Sequence, residues 1–129
     1  MTAKKRLSIK IRIPPYVYPR NHWRGKIHFV VAQELESKGI RYSEKDRIEL
    51  KVLLYFKEPA LSFHDVDNRL KDLMDALQGR VGGSKATRTL DPIVPNDSQI
   101  FKVTVEKKRP PGQSKGAGHL TIRRYNDFS

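Results

Sequence analysis

The 129-residue chain contains no cysteine, which excludes a disulfide framework and any thiolate metal site. That absence suits a reducing compartment, so a cytoplasmic protein is expected. Long apolar runs are missing as well. The longest, around "FVVA" at residues 29–32, falls far short of the ~20 residues a membrane-spanning helix needs. No basic helix with bulky apolar residues appears either, so no membrane partner is expected. Acidic residues are few beside basic ones, 14 against 26, which leaves a net charge of +12. An excess of this size points to a polyanionic partner, because neutralising phosphates releases condensed counterions. At this length the chain reads as one domain, residues 1–129, long enough to bury a core without covalent staples.

What is present alternates in two periods. "RLSIKIRI", residues 6–13, sets Leu7, Ile9, Ile11 and Ile13 against Ser8, Lys10 and Arg12, the pattern of a half-buried strand. The basic start followed by this alternation reads as a strand and not as a signal peptide. Pro14 and Pro15 end it, since proline cannot donate to a sheet ladder. After a loop, "GKIHFVVAQELESKG" reads as a helix with Ile27, Val30, Val31 and Leu35 inward and Gly39 as its stop. A second strand covers 46–56, an acidic helix roughly 66–78 ends at Gly79, and two strands follow at about 99–107 and 119–125. Residues 79–98 show no apolar period and read as a long functional or mobile loop. "KRPPGQSKGAG" has the composition of a flexible, basic hairpin tip. The order β-α-β-α-β-β predicts an α+β domain, two helices against one small mixed sheet.

The acidic helix carries the chemistry. In "HDVDNRLKDLMDAL", residues 64–77, Val66, Leu70, Leu73, Met74 and Leu77 fall at i, i+4, i+7, i+8 and i+11, a buried stripe. Asp65, Asp67, Asp72 and Asp75 crowd the remainder. Asp67, Lys71 and Asp75 share one side, with Asn68 beside them. Asp65 and Asp67, separated by one residue, repel unless a cation or proton lies between them. Magnesium resolves that conflict with one or two carboxylates plus water and phosphate oxygens. A plainer explanation stands beside it: Asp65 caps the helix, and Asp67 pairs with Lys71 at i, i+4. A second stretch, "PNDSQI" at 95–100, adds Asp97 just before a strand. It can supply a third carboxylate, or it can simply form a turn, for which Asn96-Asp97-Ser98 is suited.

These two stretches together resemble the signature of the RusA family of Holliday junction resolvases. The family pattern is D-x-D-N-x-x-K-x-x-x-D-A-L, a loop, then D-D-x-Q-I/V. The chain matches at Asp65, Asp67, Asn68, Lys71, Asp75, Ala76, Leu77, Asp97, Gln99 and Ile100. It departs at Asn96, where the family has aspartate, and its intervening loop is longer. The resemblance implies a small homodimeric endodeoxyribonuclease of recombination and repair, often phage-encoded, with a RusA-like fold. Asp65, Asp67 and Asp97 would hold one or two Mg²⁺ ions, and Lys71 would neutralise charge on the phosphate or tune the carboxylates.

Between the first strand and first helix, "PPYVYPRNHWRGK" interleaves Tyr16, Tyr18, His22 and Trp23 with Arg20, Arg24 and Lys26. Cations engage phosphates while planar side chains stack on exposed bases; the aromatics can equally pack beneath the loop. The Asn-x-x-Arg element resembles the corresponding family segment. Expected DNA contacts are therefore Asn21, Trp23, Arg24 and Lys26, joined by Asn68 and Arg69 on the acidic helix. His64 adjoins Asp65, but no pair of histidines has metal-ligand spacing. The expected partner is branched DNA, a four-way junction whose two-fold symmetry a homodimer would match. Two other functions fit the same residues: a non-cleaving branched- or single-stranded-DNA-binding protein, and a flap-type nuclease.

Overall fold

The computed structural model describes residues 7–82, 87–112 and 118–126. Strand β1 (Ile9–Ile13) leads into helix α1 (Arg20–Lys38) and strand β2 (Ile48–Tyr55). A single turn, α2 (Ala60–Phe63), precedes α3 (Val66–Leu77). Two short strands, β3 (Arg80–Gly82) and β4 (Thr87–Arg88), form a hairpin, and a 3-10 turn at Asp97–Gln99 starts β5 (Ile100–Lys108). Strand β6 (Gly118–Arg124) is the last element. The main sheet has the order β1-β6-β2-β5, antiparallel between β1 and β6 and between β6 and β2, parallel between β2 and β5. The fold is α+β with a mixed sheet, as the patterning predicts.

Alternation decides which face of the sheet is covered. Ile9, Ile11 and Ile13 of β1, Ile48, Leu50, Val52 and Leu54 of β2, and Leu120 and Ile122 of β6 are all buried. They join Trp23, Ile27, Val31 and Leu35 of α1 and Leu73, Ala76 and Leu77 of α3 in one core. Lys10, Arg12 and Lys51, one residue out of phase, are exposed. Helix α1 ends where expected: Gly39 takes the left-handed conformation and its N–H bonds back to Glu36. Among the described residues no helix is long and apolar enough to cross a membrane.

Three expectations need correction. Helix α1 starts at Arg20, well before Gly25, because its buried stripe begins at Trp23 and repeats every fourth residue through Ile27, Val31 and Leu35. The long segment after α3 is not structureless. It holds the β3–β4 hairpin, and its return is stitched to the helix end by Thr89 and Leu90 N–H to Gly79 O and by Ile93 and Val94 N–H to Leu77 O. Finally, β5 and β6 do not pair as a hairpin, since β2 lies between them. The most apolar strand takes the centre, where both of its edges are hydrogen-bonded. The expected basic tip falls largely on residues 113–117, outside the described residues.

Candidate metal and nucleic-acid site

Helix α3 displays its acids according to their phase on the wheel. Asp65 occupies the N-cap position with extended backbone but makes no capping bond. Its carboxylate instead accepts from Asn68 Nδ2 at 3.3 Å. Asp67 is exposed in the first turn, where the helix dipole favours negative charge. Lys71 follows one turn later, also exposed, and no ion pair joins it to Asp67. Neither Asp65 nor Asp67 meets a cationic side chain among the described residues.

Asp97 arrives from the far side of the segment. Its 3-10 turn is closed at both ends: Ser98 N–H donates to Asn96 Oδ1 at 3.0 Å, and Asn96 N–H donates to Gln99 Oε1 at 2.8 Å. Buried Gln99 then donates through Nε2 to Ser43 O at 2.8 Å and Asp46 O at 2.7 Å, fastening the turn to the approach to β2. Asparagine suits this cap at position 96 as well as aspartate does. The turn leaves Asp97 exposed on the wall of a polar cavity of about 540 Å³, whose lining includes Lys71, Asp75, Gln78, Arg80 and Arg88.

The structure thus brings Lys71, Asp75 and Asp97 together. Asp65 and Asp67 lie nearer the start of the same helix and do not line that cavity. Among the described residues no three His, Asp or Glu side chains converge as a metal-holding group. Asp75 is the most confined of these acids. Its Oδ2 is buried without a hydrogen bond, 4.0 Å from Arg24 Nε. Burial pushes its pKa up, while Arg24 and Lys71 pull the other way.

Three of the expected DNA contacts are interior residues. Trp23 is fully buried, its indole N–H donating to Pro14 O at 2.8 Å. Arg24 and Arg69 are 4% and 6% exposed and serve a buried carboxylate, that of Asp72. Arg24 Nε donates to its Oδ1 at 3.3 Å, Arg20 Nε donates to the same oxygen at 2.9 Å, and Arg69 Nη2 lies 3.2 Å from Oδ2. Arg69 also lies over the Tyr16 ring, 4.5 Å from its centroid. Trp23, Arg24 and Arg69 have no surface to offer a phosphate, and the two buried arginines answer the charge of buried Asp72. Sequence reasoning grouped Asp72 with the surface acids. The available signal was Arg69 three residues earlier, and Arg20 and Arg24 one turn apart on α1, beside the apolar stripe.

No family model matches this chain, and no curated protein does. The remaining expected contacts stay at the surface: Asn68 is exposed on α3, and Asn21 and Lys26 line a groove with His22, Phe29 and Val81. Tyr18 and Phe29 are largely uncovered. His64 is a packing residue. It stacks on Phe56 with centroids 4.3 Å apart, and its Nδ1 accepts from Arg69 Nη1 at 3.1 Å. Burial lowers its pKa, helped by Arg69 and Lys107, so the ring is neutral at pH 7, as an acceptor must be. The surface beside the end of α3 therefore sets the carboxylates of Asp75 and Asp97 among the cations Lys71, Arg80 and Arg88.

Proposed function

We propose that the chain is a magnesium-dependent endodeoxyribonuclease that resolves branched DNA, four-way junctions above all, by phosphodiester hydrolysis as a homodimer. The observation that carries this reading is the meeting of Asp97 with Lys71 in one cavity, although they come from different segments. Asp65 and Asp67 support it, being carboxylates without a cationic partner in a chain of net charge +12. Asp65, Asp67 and Asp97 are the residues that would hold magnesium, which needs few protein carboxylates when water and phosphate supply the rest. Bound there, the ion would polarise and orient an attacking water and offset charge on the departing oxygen. Lys71, between Asp67 and Asp75 on one helix face, neutralises charge on the phosphate.

A second reading is favoured by one observation: Phe29 stands exposed in the groove that Asn21 and Lys26 line. That is a binding protein which does not cut. Incubating the protein with a mobile four-way junction, with and without Mg²⁺, distinguishes the two. Asp67→Asn and Asp97→Asn keep side-chain size, so each should abolish Mg²⁺-dependent nicking and leave junction affinity in EDTA equal or tighter. Near-normal cleavage by either variant removes that residue from the site, and a wild type that binds the junction without nicking it leaves the binding reading.

A further inference from the structure

Arg80 and Arg88 are direct cross-strand partners in the β3–β4 hairpin. Like charges set opposite each other destabilise a strand pair, so their placement calls for a compensating contact. Buried Gln78, at the end of α3, supplies part of it. Arg80 Nε donates to the Gln78 side-chain oxygen at 2.9 Å, and Arg88 Nε donates to the Gln78 carbonyl at 3.1 Å. One residue therefore fixes both guanidinium groups by one N–H each. Among the described residues neither arginine forms an ion pair, and neither makes a hydrogen bond through its Nη groups. Lys71 lines the same cavity. The two carboxylates there, Asp75 and Asp97, are outnumbered by three cations, and burial already disfavours charge on Asp75.

We infer that Arg80 and Arg88, together with Lys71, form an anion cradle that takes a backbone phosphate of a nucleic acid. The ligand class follows from donor geometry. A guanidinium presents parallel N–H groups that match two oxygens of a phosphate, and a pair of them held at one spacing can grip both non-bridging oxygens of a diester. The inference rests on the nucleic-acid reading above and deepens it: the strand is gripped beside Asp97, by residues outside the carboxylate set.

Fluorescence anisotropy of a labelled four-way junction in EDTA, over a salt series, tests it. The Arg80→Gln/Arg88→Gln variant should bind with a log–log salt slope shallower by about two, roughly one for each lost phosphate contact. Lys38→Gln/Lys51→Gln removes the same charge from exposed residues that do not line the cavity and should change the slope far less. Arg80→Lys/Arg88→Lys should keep the slope and lose affinity, because lysine cannot bind two oxygens at once. Circular dichroism melting checks that the variants fold; if the glutamine pair does not, Arg88→Gln alone should cost about one unit of slope. An unchanged slope, or an equal change in the control pair, overturns the cradle while the nuclease reading stands. A shallower slope without Mg²⁺-dependent cleavage by the wild type supports the cradle and sinks the nuclease. A wild type that binds no DNA overturns both.

Discussion

Asp72 and Asp75 stand one turn apart on α3 and carry opposite consequences for stability. Asp72 is fully buried and answers three arginines. Asp72→Asn leaves buried Arg24 and Arg69 without a full counter-charge, a loss of about 3–5 kcal/mol by analogy with broken buried pairs. Urea unfolding measures it, and a loss below about 1 kcal/mol would mean the guanidinium groups find water instead. At Asp75 burial raises the pKa above its ordinary value. The folded state therefore holds a proton more tightly than the unfolded chain, and the ionised side chain costs stability as pH rises through the folded pKa. Asp75→Asn mimics the neutral form. It should melt at an equal or higher temperature at pH 7, with the gap closing as pH falls toward 4; a clearly lower melting temperature would show that Arg24 requires the charge.

At the scale of elements, the hairpin and the return segment owe their position to the end of α3. Gly79 has φ +74°, and a Cβ there would lie 2.1 Å from the Leu90 carbonyl oxygen. Gly79→Ala combines a left-handed backbone cost of about 1–2 kcal/mol with a backbone clash that must push the return segment away. Hydrogen exchange should accelerate at Thr89, Leu90, Ile93 and Val94, whose N–H groups bond to Gly79 and Leu77, while β2 and β6 keep their protection. Unchanged exchange at those four amides would show that the segment is held by something else. Because that segment leads into Pro95, Asn96 and Asp97, which line the cavity with Lys71, the same substitution should weaken Mg²⁺-dependent cleavage more than it lowers global stability.

For the whole molecule, the sheet ends on β5, whose outer edge pairs with no described strand and whose Phe101 and Val103 remain exposed. An exposed edge is a template for pairing with another chain. Antiparallel pairing of two copies centred on Thr104 would set Lys102 opposite Glu106 twice and Val103 opposite Val105, favourable cross-strand pairs. If the proposed homodimer forms there, Glu106→Lys should shift sedimentation equilibrium toward monomer, and Lys102→Glu added to it should restore the dimer. Equal dimerisation in all three proteins would move the interface elsewhere. Charge acts at this scale as well. Arg24→Ala should leave the salt slope of DNA binding unchanged, since Arg24 is buried, and should instead lower the melting temperature.

Read alone, the sequence determined what depends on local periodicity and composition. The two-residue alternation at Ile9–Ile13 and in β2, the stripe of α3, the stop at Gly39 and the α+β class all follow from which side chains must leave water together. The meeting of Asp97 with Lys71 was legible only as a possibility, because nothing local says which wall a returning segment will face. The tertiary structure alone decided the interior role of Trp23, Arg24 and Arg69. An arginine reads as a surface cation until its counter-charge is found, and Asp72 and Arg24 meet only when α1 packs on α3. Strand order was decided in the same way. Adjacent strands in the chain suggest a hairpin, yet β2 separates β5 from β6, since the strand richest in apolar residues is best placed where both its edges are paired and its inner face is covered.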